Sequence, residues 1–199
     1  MSHERPKHAE VYAKREYWEG RYGQKGGDFN HDDTTQYYDW CQSSYSEFVK
    51  LILDEGISPF DLILNVGCGD SRLSFDLLAK AMNICLFNID YAESVISRMH
   101  REASNQDVQC WTPMDIRLLS IRSDSMDHVI DKGTMDALFS DGSSPWTPSL
   151  SVLNSVSEWT PDVLASKVEL LLYCFCRDDD DSQDKGTKFM TVLIKGLSD

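Results

Sequence analysis

Two glycines and an aspartate in the first half of the chain have the types and spacing of a ligand-binding turn. Gly67 and Gly69 lie between the apolar run 61–66 and a segment with helical periodicity, 71–82. Glycine adopts backbone angles that other residues avoid, and it lets a ligand come close to the main chain. Asp90 ends the next apolar run, 23 residues after Gly67, and its two oxygens suit two neighbouring hydroxyls of a ribose. These residues predict a site for a nucleoside-containing ligand, with a helix cap at Asp90 as the alternative.

The turn argues against the two commonest phosphate-binding sites. A dinucleotide site needs a third small residue, in the pattern G-x-G-x-x-G, so that the helix packs close to the strand. Arg72 stands at that position. The P-loop pattern G-x-x-x-x-G-K-[ST] is absent from the sequence. S-adenosylmethionine contains a nucleoside but no phosphate, and its amino-acid end could lie against the backbone of 67–69, so this cofactor is the one that the pattern favours.

A third pair of candidate residues ends the following apolar run. Met114 could cover one face of an adenine ring, and Asp115 could accept a hydrogen bond from the adenine amino group. The alternatives are a core residue at Met114 and a turn residue at Asp115.

The elements that must position these residues alternate along the chain. Short apolar runs predict strands, and the segments between them have the periodicity of amphipathic helices. This alternation predicts an α/β fold, a Rossmann-like, doubly wound and mostly parallel sheet with helices on both faces. Ligands bind such sheets at the carboxyl ends of the strands. The predicted strands are 61–67, 84–90, 108–115 and 126–133, and they end near Gly67, Asp90, Asp115 and Asp131.

The two ends of the chain differ from this core in their sequence patterns. Residues 9–22 and 37–56 have helical patterns, whereas 151–176 is compatible with helix, strand or both, and 187–196 is typical of a strand. We interpret 1–199 as a single domain with three parts. These are an N-terminal helical lid (1–56), a cofactor-binding core (57–146) and a divergent C-terminal part (147–199) that contains an acidic loop, 177–185.

Composition and charge narrow the class of protein. The 199 residues suffice for one domain with a real core. The net charge of −14 disfavours nucleic acid as a partner and favours a basic protein segment, with solubility alone as the alternative explanation. No apolar stretch reaches the roughly 18 residues that span a bilayer, and the first ten residues lack a signal-peptide pattern. We therefore expect a cytoplasmic protein without a membrane partner.

The six cysteines have neither C-x-x-C spacing nor histidine partners. Most fall inside apolar stretches, so we expect reduced core residues and no metal site.

Several short motifs, in matching order over about residues 10–146, resemble one family. They are "YWEGRY" (17–22), "YDW" (38–40), "LNVGCGDSRLS" (64–74), "NIDYAESVI" (88–96), "MD" (114–115) and "VIDKGTMDAL" (129–138). The chain resembles the seven-strand, S-adenosylmethionine-dependent methyltransferases that modify lysine on translation elongation factor 1-alpha. The resemblance implies S-adenosylmethionine as cofactor and a basic segment of a protein, possibly elongation factor 1-alpha, as partner.

The resemblance also implies roles for individual residues. Trp18, Tyr22 and Trp40 would close over the cofactor, with an aromatic stripe packed on the core as the alternative. The remaining implied cofactor contacts are Gly67 at the methionine part, Asp90 and Tyr91 at ribose and adenine, Met114 and Asp115 at adenine, and Lys132 at the donor end. For the transfer itself, only Asp131 and Asp136 are candidates, for orienting the ammonium group of the acceptor, with a helix cap and a surface acid as the alternatives.

The sequence departs from the family pattern after Trp146. No Pro-Gly-Gly turn follows, although 189–196 looks like the family's closing strand. We therefore expect the fifth and sixth strands to be missing or replaced, and a sheet that stops after four parallel strands. Weak cofactor binding, marginal stability or self-association, and little or no lysine methyltransferase activity would follow. A non-catalytic cofactor-binding or interaction protein and a small-molecule methyltransferase remain alternatives to a protein-lysine methyltransferase.

Overall fold

A computed structural model describes eight parts of the chain. They are residues 9–24, 45–54, 56–81, 83–103, 108–122, 125–140, 168–176 and 188–196.

In the described residues, helices alternate with the first four strands of one sheet. The α-helices in the described ranges are α1 (Arg15–Gln24), α2 (Tyr45–Asp54), α3 (Leu73–Lys80), α4 (Glu93–Glu102) and α5 (Thr134–Phe139). Short 3-10 helices span Ala9–Ala13 and Ile116–Leu118. The strands are β1 (Leu62–Val66), β2 (Cys85–Asp90), β3 (Gln109–Pro113), β4 (His128–Lys132), β5 (Val168–Cys176) and β6 (Lys188–Gly196). Each of the four predicted core strands is therefore present, and the helix predicted over 9–22 is divided into a 3-10 helix and α1.

The six strands lie in the order β3-β2-β1-β4-β6-β5. The first four are parallel, and their register places Asn65 opposite Asn88 and Val66 opposite Asp131. The predicted α/β fold with a mostly parallel sheet is confirmed. The carboxyl ends of β1, β2 and β4 consequently meet at one edge of the sheet, because parallel strands run in the same direction.

The prediction that the sheet stops after four strands is wrong. β6 pairs antiparallel with β4, and β5 pairs antiparallel with β6 over nine residues. Hydrogen bonding to β6 satisfies the backbone groups that β4 would otherwise expose at an open edge. The ambiguous segment 151–176 contains β5, and the acidic loop 177–185 lies outside the described residues.

Alternation along the strands divides the core between the two faces of the sheet. Ile63 and Leu86 pack with buried residues of α2 and α3 on one face. Leu64 and Val66 pack with Met135 and other residues of α5 on the opposite face. A third cluster joins α1 to α4 and β3 beside the first face. The predicted covering of both faces by helices is confirmed.

We expected most cysteines to be core residues, but the three that the structure describes differ in burial. Cys68 is buried, but Cys85 is half-buried and Cys110 is exposed. Cys110 is exposed because it lies on the outward side of β3, the strand at one edge of the described sheet.

No helix in the described ranges has the length and apolar character needed to span a bilayer.

Candidate functional site

A cleft of about 700 Å³, partly open to solvent, lies at the carboxyl ends of β1, β2 and β4. The structure brings nine of the ten predicted cofactor-binding residues together in its wall: Trp18, Tyr22, Gly67, Gly69, Asp90, Tyr91, Met114, Asp115 and Lys132. The tenth, Trp40, lies outside the described residues. Asp131 and Asp136 are not among the residues that line the cleft.

The glycine turn after β1 has a backbone that only glycine accommodates well. Gly67 and Gly69 have φ angles of +55° and +54°, in the left-handed region. A Cβ atom on Gly67 would lie 1.8 Å from Oγ1 of Thr134, and one on Gly69 would lie 2.8 Å from Oη of Tyr22. The hydroxyl of Thr134 donates to the carbonyl oxygen of Val66 (3.0 Å), which ties the start of α5 to the turn.

Asp90 lies directly beside this turn. Its Oδ2 accepts a hydrogen bond from the Gly69 amide (3.0 Å), and its Oδ1 accepts one from the Ala92 amide (2.9 Å). Burial raises the pKa of the Asp90 carboxyl to about 6. Each oxygen accepts one bond from the backbone and keeps capacity for another, so Asp90 can hold the turn and still face two hydroxyls. The helix-cap alternative is wrong, because the N-cap residue of α4 is Ala92 and no side chain caps it, whereas ribose binding by Asp90 stays a prediction.

Trp18 and Tyr22 form an aromatic wall on the α1 side of the cleft. Their rings stack with centroids 5.8 Å apart, and the Trp18 indole N–H donates to the carbonyl oxygen of Tyr12 (2.7 Å). Both side chains are 7% exposed and pack with Val95 and Met99 of α4. They line the cleft and also belong to the core, so the core-packing alternative describes real contacts, and closure over the cofactor stays a prediction. Burial also raises the pKa of Tyr22 well above its usual value, so the phenol stays neutral.

Glu19 fixes α1 to the core at this wall. Its carboxylate accepts hydrogen bonds from the amides of Glu93 (2.6 Å) and Ser94 (3.3 Å), the first residues of α4. Arg15 also lies 3.0 Å from the Glu93 carboxylate. A carboxylate at a helix N-terminus satisfies amides that have no partner within the helix. In this structure, α1 is packed onto the core rather than lifted away from the cleft.

Asp115 has a partner that sequence reasoning missed. Its carboxylate accepts hydrogen bonds from the backbone amide of Arg117 (2.9 Å) and from its guanidinium (2.9 and 2.6 Å). Burial opposes ionisation, but these bonds hold the pKa of Asp115 below its usual value. The turn alternative therefore describes a real contact of Asp115, and a bond to adenine stays a prediction.

Asp131 is a buried cap of α5. Its Oδ1 accepts a hydrogen bond from the Thr134 amide (2.9 Å) and its Oδ2 accepts one from the Met135 amide (3.0 Å). The side chain is 1% exposed, and burial raises the pKa of the carboxyl to about 7. Because its two oxygens are directed to α5, the helix-cap alternative accounts for Asp131, and the orienting role stays a prediction for both Asp131 and Asp136.

Within the described ranges, no group of three or more His, Cys, Asp or Glu side chains is placed to hold a metal ion.

Comparison with known proteins shows which proteins the chain resembles in sequence. No protein-family model matches the sequence. The bovine protein named EEF1A lysine methyltransferase 4 is 32% identical over 147 residues, which are 74% of this chain and 54% of the bovine protein. Over the matched residues, the chain is similar in sequence to proteins named as eEF1A lysine methyltransferases. It spans about half the length of the curated relatives of that name that it matches.

Solved structures agree on the fold of this chain. A putative S-adenosyl-L-methionine-dependent methyltransferase from Methanococcus maripaludis has a TM-score of 0.54 at 9% identity, and the match covers 100% of this chain and 98% of that one. The N-methyltransferase NodS from Bradyrhizobium japonicum, solved with S-adenosyl-L-homocysteine, has a TM-score of 0.53 at 12% identity, with coverage of 91% and 99%. At such low identity these matches establish the methyltransferase fold alone.

The cleft also contains residues that sequence reasoning did not select. Asp70 and Ser71 line it directly after the glycine turn. The Asp70 carboxylate is 4% exposed and lies 3.1 Å from the guanidinium of Arg98 on α4. Asp70 follows the Gly-x-Gly motif, which is a signal that could have been used. Its pairing with Arg98 depends on how α4 packs and has no local signature.

The raised pKa of Asp131 predicts a pH dependence of stability. The native carboxyl keeps its proton up to about pH 7, whereas in the unfolded chain it titrates near 3.8. The native state thus binds more protons between these values, and this contribution to stability is lost as the pH rises through 7. We expect the free energy of unfolding to fall more steeply from pH 5 to 8 in the unsubstituted protein than in Asp131→Asn, by at most about 1.4 kcal/mol per pH unit.

Urea unfolding of both proteins at several pH values measures this difference. Charges common to both, such as Lys132 and Asp136 nearby, cancel in the comparison. Parallel pH profiles would contradict the raised pKa.

Proposed function

We propose that this chain binds S-adenosylmethionine in the cleft and transfers its methyl group to a lysine side chain of a protein. The observation that carries the proposal is the convergence of the glycine turn, the Asp90 carboxylate and the aromatic wall at one edge of a methyltransferase fold. The sequence relationship to proteins named as eEF1A lysine methyltransferases supports the same activity.

The residues in the cleft fit the chemistry of this cofactor. The glycine turn lines the cleft, and Gly67 and Gly69 give it left-handed backbone angles that other residues rarely adopt. Asp90 offers acceptor oxygens for a ribose diol, and Trp18 and Tyr22 offer aromatic faces, which favour a cation such as a sulfonium.

Bound S-adenosylmethionine supplies a methyl group on a positively charged sulfur, which makes that methyl group electrophilic. The chain itself then has to bind, align and exclude water, since displacement by an amine needs no protein nucleophile. The packed α1 and its aromatic residues serve the exclusion of water on one side of the cleft. The acceptor lysine, with a usual pKa of about 10.4, must lose its proton to solvent or on burial before it can attack.

The acceptor belongs to the same proposal. The relatives are named as methyltransferases of eEF1A, and the net charge of −14 favours a basic segment over nucleic acid as the bound partner. A cytoplasmic location is proposed with it.

Binding is the first prediction of this proposal. We expect S-adenosylhomocysteine, the product form of the cofactor, to bind the purified protein with one site per chain, because the groups named above are already assembled. Isothermal titration calorimetry measures the binding, with adenosine as a smaller competitor. No heat and no thermal shift at millimolar ligand, in a protein with a normal circular dichroism spectrum, would refute the cofactor assignment.

Transfer is a separate measurement. We expect radiolabel from the methyl donor to enter purified eEF1A, and acid hydrolysis to recover it as methyl-lysine. In whole-cell extract, label confined to molecules of low mass would instead indicate a small-molecule methyltransferase.

One observation favours a second candidate, a cofactor-binding protein without transfer activity. The strand next to β4 is the antiparallel β6, whereas the family resemblance implies a helix and then a strand announced by a Pro-Gly-Gly turn. The sheet beyond β4 is thus built differently. Binding of S-adenosylhomocysteine without methylation of any extract component would support this candidate.

A further inference from the structure

Three polar side chains are buried together between the sheet and α3, directly below the cleft. Asn65 of β1, Ser74 of α3 and Asn88 of β2 are 3%, 1% and 0% exposed. Their surroundings on this face are apolar, as Ile63, Leu77 and other residues of the cluster under α2 and α3 show. Polar groups in such surroundings destabilise the fold unless they are hydrogen-bonded.

These three side chains satisfy one another. The Asn65 amide group donates to the Ser74 hydroxyl oxygen (3.1 Å) and to the Asn88 carbonyl oxygen (3.1 Å). The Ser74 hydroxyl donates to the same Asn88 oxygen, which closes a triangle. The Asn88 amide group donates to the backbone carbonyl of Cys110 on β3 (3.4 Å). We call these three residues the asparagine triangle, and it connects β1, β2, β3 and α3.

The triangle lies one pleat below the groups that form the cleft. Asn65 is opposite Asn88 in the parallel register. Because side chains alternate along a strand, Asn88 shares its face with Asp90, and Asn65 shares its face with the position of Gly67. Ser74 lies in the first turn of α3, three residues after Ser71 of the cleft wall. The triangle thus joins the elements that carry the glycine turn and the Asp90 carboxylate.

Buried polar networks of this kind are in general not needed for the stability of a fold. Replacing all partners of a buried hydrogen-bond network by apolar side chains of similar shape is commonly neutral or stabilising. A directional network does something that apolar packing does not, since it specifies the relative position of the strands that it joins.

We propose that Asn65, Ser74 and Asn88 are positioning residues that hold the glycine turn and Asp90 in register with each other. They act through the two backbone contacts of Asp90, those from the amides of Gly69 and Ala92. The cleft is then set for a ligand before the ligand arrives, which lowers the cost of binding. The effect on S-adenosylmethionine rests on the proposed function, whereas the effect on the two amides does not.

Hydrogen exchange of the free protein tests the positioning role without any ligand. In Asn65→Val/Ser74→Ala/Asn88→Val, we expect the Gly69 and Ala92 amides to exchange faster, while the Leu86 amide, bonded within the sheet to the carbonyl of Val108, keeps its protection. Leu86→Val is the matched control, because it changes packing on the same face of β2 but removes no hydrogen bond. The single variant Ser74→Ala removes only the hydroxyl of the triangle and should show an intermediate effect.

Wild-type exchange at Gly69 and Ala92 in either network variant, or equal acceleration in Leu86→Val, would overturn the proposal. Calorimetry with S-adenosylhomocysteine adds the functional readout, and we expect the triple variant to bind about tenfold more weakly or worse, with an unchanged melting temperature. Failure of the unsubstituted protein to bind refutes the proposed function alone, since the exchange rates still decide the positioning role.

Discussion

Replacing Gly67 by alanine is expected to abolish cofactor binding and to lower the free energy of unfolding by roughly 2 to 5 kcal/mol. The φ angle of +55° is unfavourable for a residue with a Cβ atom. The added methyl group would also lie 1.8 Å from Oγ1 and 2.8 Å from Cβ of Thr134, so α5 or the turn must move. Either movement displaces the backbone that faces the cleft. Urea unfolding and calorimetry with S-adenosylhomocysteine measure the two effects.

Gly20→Ala is the matched control for this experiment. Gly20 lies in α1, where an added Cβ would meet no atom within 4 Å. Alanine should therefore leave ligand binding unchanged and stabilise the helix by at most about 1 kcal/mol. If Gly67→Ala resembled Gly20→Ala in both stability and affinity, the tight contact between the turn and Thr134 would not exist in solution.

We expect Asp90→Ala to weaken the binding of S-adenosylhomocysteine at least about tenfold. It should also lower the free energy of unfolding by roughly 2 to 6 kcal/mol, since two buried amides lose their acceptor. Those amides, of Gly69 and Ala92, lie 3.0 and 2.9 Å from the two carboxylate oxygens. The hydrogen bonds that the carboxylate would accept from the ribose hydroxyls add about 1.5 to 3 kcal/mol to binding. In Asp90→Asn, one acceptor oxygen remains, so both losses should be smaller.

Asp115→Ala provides a comparison within the same cleft. Asp115 bonds to Arg117 in its own turn rather than to a second strand, so its loss should affect stability much less than the loss of Asp90.

An Asp90→Ala protein that is destabilised but keeps its intrinsic affinity would show that Asp90 only supports the turn. Fitting calorimetric data for the folded fraction separates these cases.

The four parallel strands could be predicted because their signals are local. Short apolar runs bounded by glycine or aspartate are typical of strands buried on both faces, and the helices between them carry their own periodicity. The same locality explains why the cofactor-binding candidates assemble in one cleft. Once strands are parallel, residues at their carboxyl ends must meet at one edge, whichever helices cover the faces.

The pairing of β6 with β4 was not predictable in the same way. The sequence identified 187–196 as a strand, but strand order depends on which edge is open and on the path of the chain. Hydrogen bonds between strands are made by backbone groups that every residue carries, so they leave no residue-specific signal.

Other features of the site depend on contacts between distant segments. Asn65 and Asn88 look like ordinary polar residues in strands until the register places them opposite each other. The short distance from Gly67 to Thr134 and the pair formed by Asp70 and Arg98 likewise arise from helix packing. The amino-acid sequence by itself determined the strands, the glycine turn and the acids at the strand ends, because neighbouring residues encode them. Only the tertiary structure decided which of those acids face the cleft and which cap a helix, because that depends on how the packed helices direct their free amides.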